Sequence, residues 1–566
     1  MAPSSPAAAA SVADERSPLL QNASKSELEH LDDPTKLPKR RRNAILVAVW
    51  LGVFLGALDG TIVATLISDV SSSFEKSNQA GLLGTSYLLS TATFTPLYGR
   101  LADIIGRRNA LLIALTLFTG GTTLCGLAPS MVSLLIGRLI AGMGGGGLMA
   151  VSSIVASDLV PLKQRALFQG LANLFFGAGS GLGGPLGGFI SDRFGWRTAF
   201  LCQIPVLLLA AILVFRNLRY RIAGQGKSKR EMVRRIDYLG SLTLVISLGS
   251  LIFALSYKND RNLPWSSPLV WAPLISFVVS AIAFGLVEAF WSPEPVMPLR
   301  LLKTRNAFFV ALTNLTLSWV SFSILYFYPL FFEIVKQNSA SRAGAHLLPN
   351  SIALSVGSLF AGWFIRKTGR YYWLIVITSA FPVIALISFL FLNESSGWFH
   401  SWVAVLPSGF GFASVVTATL IALIASVDRS DMATATGLTY LYRYVGQVVG
   451  VASSASVLQA VLTSQLRERI VGPGSAEIIE RIRHVATSIK DLPPATQIAA
   501  RTSYRNALHG VFGLNLGIAV LCLLCTLPLR EYALPSSFAE EEENRRQRNG
   551  GDTPSSEEEE VVAGSR

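Results

Sequence analysis

Charge is scarce in this sequence: 15% of its 566 residues are Asp, Glu, Lys or Arg, against 51% hydrophobic. That balance does not describe a water-soluble domain with a polar surface. Cysteine and histidine are sparser still, at four and five residues. Cys125, Cys202, Cys522 and Cys525 all fall inside apolar runs, where no partner loop or oxidising solvent is at hand, so no disulfide framework is expected. Cys522 and Cys525 form a C-x-x-C with no second ligand pair nearby, and no metal site is expected there. His346, His400 and His509 sit near the ends of apolar runs, which speaks against a histidine proton relay. No nucleophile–base constellation is legible, so neither an enzyme nor a cofactor is expected. The net charge of +13 comes from lysines and arginines that punctuate the apolar runs, not from one patch, and a nucleic acid partner is not expected.

What the chain does have is a succession of apolar runs near 20 residues long, from Asn43 to Arg530, the signature of a polytopic membrane protein. We read fourteen transmembrane helices: 43–68, 79–98, 109–127, 131–156, 166–190, 198–215, 237–256, 268–291, 306–331, 344–365, 371–392, 399–426, 434–462 and 508–528. The polar residues 1–42 end in Lys39-Arg40-Arg41-Arg42 and are too long and polar for a cleaved signal, so the amino terminus is expected in the cytosol. The even-numbered connections then carry Arg107 and Arg108, Lys163 and Arg165, the stretch 216–235, Arg300 to Arg305 and Arg366 to Arg370, as the positive-inside rule requires. An odd connection holds Asn393-Glu394-Ser395, a glycosylation acceptor suited to the opposite face.

A degenerate repeat runs through the chain. Gly99 to Arg107 (GRLADIIGR) and Gly362 to Arg370 (GWFIRKTGR) share two glycines and an arginine at identical offsets, with Arg366 in the place of Asp103. Gly170, Gly179 and Gly183 are echoed by Gly437, Gly446 and Gly450. Two six-helix halves, 43–218 and 292–530, explain both, with two helices inserted at 237–291 after a basic cytosolic linker at 219–236. A long lumenal loop is expected at 463–507, mixed in charge and partly helical, and disordered tails at 1–42 and 531–566. Within the first tail, Glu15, Leu19 and Leu20 fit an acidic dileucine pattern that sorting adaptor complexes read.

Four motifs stand in order: LDGTIV at Leu58 to Val63, GRLADIIGRR at Gly99 to Arg108, GRLIAGMGGGG at Gly137 to Gly147 and GSGLGGPLGG at Gly179 to Gly188. On them, residues 43 to about 530 resemble the fourteen-helix drug/proton antiporter branch of the major facilitator superfamily, and most of all its fungal vacuolar basic amino acid transporters. The resemblance implies an all-α fold and a latch made by Gly99, Asp103, Gly106, Arg107 and Arg108 that favours the outward-facing state. It also implies an antiporter motif in the fifth helix, at Gly179, Gly183, Gly184, Pro185 and Gly188. Here Gly-Pro-Leu-Gly-Gly is one residue tighter than the commoner Gly-Pro-x-x-Gly-Gly. Both glycine-rich stretches match G-x-G-x-x-G, but neither lies in a βαβ unit, so they are read as close helix packing and not nucleotide binding. The glycines of the latch are expected to allow a tight turn, and Asp103 and Arg107, four apart, to pair with each other or with the next helix end.

Asp59 lies within the first apolar run, where a charge costs about 2.5–3.5 kcal/mol even on lenient scales. It is about 14 residues, or ~21 Å, from the cytosolic end, roughly 9 Å short of the far face. Arg138 enters the fourth helix from that far face and reaches nearly the same depth, about 7 residues or ~11 Å in. Opposite charges at matching depth are natural partners, and the family's helix-four arginine is thought to take part in proton coupling. The pair is either the proton and substrate coupling site or purely structural. Asn173, Gln203, Asn314, Tyr326 and Arg443 are further candidates to line a cavity, each open to the alternative of an interhelical hydrogen bond. Glu288 and Glu333, near helix ends, read as interfacial.

These features suit a monomeric antiporter that moves a small cation, a basic amino acid, across the vacuolar membrane in exchange for protons. A plasma-membrane drug or toxin exporter of the same fold and a nutrient receptor with a transporter fold remain open.

Overall fold

The computed structural model describes residues 38–159, 162–218, 237–260, 263–292, 299–427 and 432–532. The sorting motif at Glu15, Leu19 and Leu20, the linker 219–236, nearly all of the acidic tail and the side chain of Asp103 lie outside the described residues.

The described chain is helical, as a chain in hydrocarbon must be, since each backbone N–H and C=O has to be satisfied within its own segment. The long elements are α1 (Lys39–Ser73), α2 (Ala80–Ile105), α3 (Arg107–Leu127), α4 (Met131–Leu159), α5 (Leu162–Phe194) and α6 (Trp196–Asn217), the last broken at Cys202 and Gln203. There follow α7 (Tyr238–Asp260), α8 (Pro268–Phe290), α9 (Arg305–Leu330), α10 (Leu348–Thr368), α11 (Tyr372–Leu390), α12 (Leu406–Ile424), α13 (Met432–Arg469) and α14 (Pro494–Thr526). Among the described residues, twelve helices are long and apolar enough to cross a membrane. The remaining two, α2 and α5, have 26 and 33 residues and run in the same bundle. The protein is a multi-pass membrane protein, and fourteen spans are consistent with these elements.

Side chains on the rim of the bundle confirm its solvent. Leu208, Leu209, Ile212 and Phe215 of α6 and Val278, Val279 and Ile282 of α8 are exposed, and lipid tails cover such a surface without cost.

The repeat becomes physical in the glycines. Gly179 and Gly183 of α5 lie on the backbone of α1 at Phe54 and Leu58, one turn apart. Gly446 and Gly450 of α13 lie in the same way on α9 at Leu315 and Trp319. A Cβ at any of the four would enter that backbone. At the two turns related by the repeat, Gly106 (φ 87°) follows α2 and Gly369 (φ 68°) follows α10, both in the positive-φ region that glycine enters without strain. Gly99, expected to help that turn, is instead inside α2 and has open space where a side chain would stand, as does its counterpart Gly362.

The two inserted helices pair through Ser250 and Ser276 (3.0 Å) and pack on the bundle where Leu244, Leu248 and Phe284 meet Leu441 of α13. The expected 463–507 loop is mostly helix: α13 runs on to Arg469, a short helix spans Ser475–His484, and α14 begins at Pro494. The 38 residues of α13 reach ~57 Å, well beyond a ~30 Å hydrocarbon core, so the helix continues where its apolar run has already ended.

Candidate functional site

The arginine of α4 and the aspartate of α1 meet in the first half. Arg138 Nη1 donates to Asp59 Oδ2 at 2.6 Å, and both side chains are fully buried. Arg138 Nε also donates to the Leu83 carbonyl of α2 (3.2 Å), and the guanidinium stands 4.4 Å from the centre of the Tyr87 ring. Helices α1 and α2 thus hold one cation of α4. The glycines of α4 make the approach possible: Gly142, Gly145 and Gly146 lie so close to Tyr87, Ser90 and Thr95 of α2 that a Cβ would meet the α2 backbone at Gly142 and would push on the Tyr87 and Thr95 side chains at the other two.

The pair is not saturated. Asp59 Oδ1 and Arg138 Nη2 are both buried without a hydrogen bond, so one lone-pair oxygen and one donor remain for a proton, a water or a ligand. Tyr326 of α9 reaches across from the second half, fully buried against Gly84 of α2 and within electrostatic reach of both charges. An aromatic side chain of one half therefore reaches the neighbourhood of a charge pair of the other.

The remaining cavity candidates divide. Asn173 of α5 donates to Ser358 Oγ of α10 (2.6 Å), and Ser358 contacts Thr417 of α12 (3.2 Å), a polar link between halves. Asn314 donates to Thr419 of α12 (3.2 Å) and to the Val310 carbonyl, and so ties helices of one half. Gln203 sits at the break of α6 and bonds back to the Ala199 carbonyl (3.2 Å). Arg443 of α13 has a buried, unbonded Nε and makes no ion pair among the described residues. Its guanidinium lies 5.2 Å from the Tyr440 ring and 5.9 Å from that of Phe412.

At the turn between α2 and α3, Arg107 Nε pairs with Asp158 Oδ2 at the end of α4 (3.1 Å), while Arg108 stacks 4.2 Å over Phe215 of α6. Asp158 was absent from the motif read in sequence because it lies 51 residues away. The matching turn in the second half leaves Arg366 and Lys367 exposed.

The glycines of α5 serve two neighbours. Gly179 and Gly183 receive α1, whereas Gly184 and Gly188 receive the backbone at Gly344 and Ser341 of the other half. Pro185 lies between these contacts, inside an unbroken helix. Asn393 is exposed between α11 and α12, its Oδ1 accepting from Ser395 (2.8 Å) and Ser396 (3.1 Å). Glu333 departs from its sequence reading. It is 7% exposed, in a π-helical turn (Phe331–Val335) that prolongs α9, and so is buried within the protein instead of facing a membrane surface.

The sequence profile of the Major Facilitator Superfamily matches residues 49–451. The chain belongs to this superfamily. It is a transporter of small molecules through a membrane and not an enzyme. A multidrug resistance protein of Schizosaccharomyces pombe is 38% identical over 500 residues, covering 87% of this chain and 93% of its own. Vacuolar basic amino acid transporter 2 of Saccharomyces cerevisiae is 32% identical over 437 residues, covering 75% and 89%. Among solved structures, an inward-facing, occupied bacterial homologue of the human lysosomal transporter Spinster superposes with a TM-score of 0.60 at 17% identity. That alignment covers 87% of this superfamily member and 97% of the bacterial chain, and it shows the fold alone.

Proposed function

We propose that this transporter exchanges protons for a basic amino acid across the vacuolar membrane, with Asp59 and Arg138 as the coupling pair. The observation that carries the reading is the incomplete buried pair: two charges, fully desolvated, with one acceptor and one donor unused. A carboxylate in such a place holds a proton or faces a cation in every state that crosses the barrier. Arg138 is that cation in the empty carrier. Protonation of Asp59, or docking of a substrate ammonium or guanidinium on Oδ1, weakens the ion pair and changes what α1 and α4 hold together. Because proton and substrate compete for one oxygen, they travel in opposite directions, and one-for-one exchange moves no net charge. Each unit of pH then supplies about 1.4 kcal/mol toward accumulation in an acidic lumen. Arg443, unpaired on the opposite half, supplies the counter-charge for an amino acid's carboxylate.

In this reading residues 43–218 and 292–530 are the rocking halves, and both termini with the turns at 99–108 and 362–370 face the cytosol. The Arg107–Asp158 pair, with the Gly99 to Arg108 motif, biases the conformational equilibrium. Glu15, Leu19 and Leu20 direct the chain to the vacuole through an adaptor complex, and Asn393 carries a glycan. The S. cerevisiae relative, named for basic amino acids and the vacuole, supports substrate and membrane together. A second reading, drug export, is favoured by the S. pombe relative's name.

Vacuolar vesicles decide between them. Labelled lysine or arginine should accumulate only while a pH difference is maintained. Uptake that survives collapse of the pH difference, or cells that expel a cationic dye while vesicles take up no amino acid, would overturn the proposal.

A further inference from the structure

Outside the seam where Gly184 meets Gly344, a cavity of about 150 Å³ opens between the halves. Asp69 of α1, Asp192 of α5 and Glu333 of the π turn line it, joined by Gln337 and by Lys490 from the connection between α13 and α14. Asp69 lies ten residues beyond Asp59, so the cavity sits ~15 Å further out along α1, toward the end opposite Arg107. Three carboxylates face one ammonium. Glu333, more than nine-tenths buried, lines this cavity, and its buried Oε2 accepts no hydrogen bond of good geometry. Gln337 Nε2 is likewise buried and unbonded. Between cavity and coupling pair, the hydroxyl of Thr65 is also buried and unbonded, and Ser68 lies within reach of Glu333, so polar side chains continue inward from the mouth.

The cluster does not have the geometry of a metal site among the described residues. Its volume is also below the roughly 300–1,000 Å³ of a site that swallows a drug-sized ligand. A flat or compact organic cation head fits both limits. Lys490 is exposed, closes no ion pair with the three acids, and yet stands within electrostatic reach of Asp69 and Glu333.

We propose that this cavity is an outer cation site that takes the guanidinium or ammonium head of an organic cation at the non-cytosolic mouth, and that Lys490 is its tethered competitor. Its place on the transport route rests on the exchange proposed above, but the site itself is read without transport. In the full-length protein in liposomes, Cys202, the exposed native cysteine, is replaced by serine and Lys490→Cys is introduced. The new thiol is then labelled with methanethiosulfonate reagents of opposite charge.

The ethylammonium reagent should react faster than the ethylsulfonate reagent by roughly tenfold, because an acidic cleft concentrates cations. Glu333→Gln, and separately the exposed Asp192→Asn, should each shrink that ratio. Millimolar L-arginine should slow the cationic reagent more than sodium chloride of equal ionic strength does. Equal rates for the two reagents, or protection by arginine no better than by salt, would overturn the site. Protection that persists in a protein that transports no arginine would keep the site and reject the exchange reading. Arginine transport with no protection would do the reverse. If Lys490 competes, adding Lys490→Ala to an Asn338→Cys variant should lower the arginine concentration for half-maximal protection of the new thiol by about fivefold, the size of an exposed ion-pair effect. An unchanged concentration would remove Lys490 from the site.

Discussion

Neutralising the buried pair one charge at a time should give unequal losses. The N–O distance of 2.6 Å places the charge centres about 4 Å apart, an attraction of about 4 kcal/mol at an effective dielectric near 20. Removing one partner of such a pair costs about 3–5 kcal/mol, chiefly because the other charge is stranded. The stranded charges differ, however. A guanidinium stays charged, whereas an orphaned carboxylate neutralises itself by taking a proton. Asp59→Asn, which strands Arg138, is therefore expected to fall near the upper end of that range and Arg138→Gln below it. The double variant strands nothing and should be more stable than Asp59→Asn alone. Denaturant titration of the full chain in nanodiscs measures the three against the native protein. Losses that simply add in the double variant, or Arg138→Gln proving the worse single change, would refute the electrostatic account. Vesicle uptake on the double variant tests function apart from folding: accumulation driven by a pH difference should vanish, and its survival would place the coupling carboxylate elsewhere.

Asp158→Asn and Arg107→Ala break a partly exposed pair, worth about 1 kcal/mol or less, so both should insert normally. Their transport rates should nevertheless shift several-fold, and unchanged rates at equal protein level would remove this pair from gating. At the same turn, Gly99→Ala meets open space within a helix and should be neutral or stabilising by up to about 1 kcal/mol, while Gly106→Ala is strained at φ 87° and should lose about as much. Melting temperatures of the two variants check the contrast. Gly188→Leu forces its side chain into the backbone at Ser341, and overpacking of this kind costs about 1–3 kcal/mol. The halves should be held apart at that end, with exchange lost and the Lys490→Cys thiol labelled faster; native labelling rates would contradict the seam.

Much of this protein was legible as a string. Apolar runs locate the spans because lipid admits only segments that satisfy their own backbone, and this demand is local. The depth of Asp59 and Arg138 follows from counting residues along two helices, and depth was enough to single them out as partners. The paired glycine offsets at 179 and 446 likewise anticipate that α5 and α13 hold equivalent places, on α1 and α9. What the string withheld depends on how each helix is rotated and on what stands opposite. Gly183 and Gly184 are neighbours in sequence, yet one meets its own half and the other the opposite half, since consecutive residues on a helix point about 100° apart. Gln203 belongs to a helix break, and Asn314 to a bond within one half, because polar side chains in hydrocarbon take the nearest partner. Glu333 looked interfacial from its distance to a helix end, but a π turn and the meeting of two halves bury it. Arg107 found Asp158 in the same manner, from another helix end. Periodicity and length are properties of one segment, whereas burial and pairing are properties of two or more, and only the packed bundle decides them.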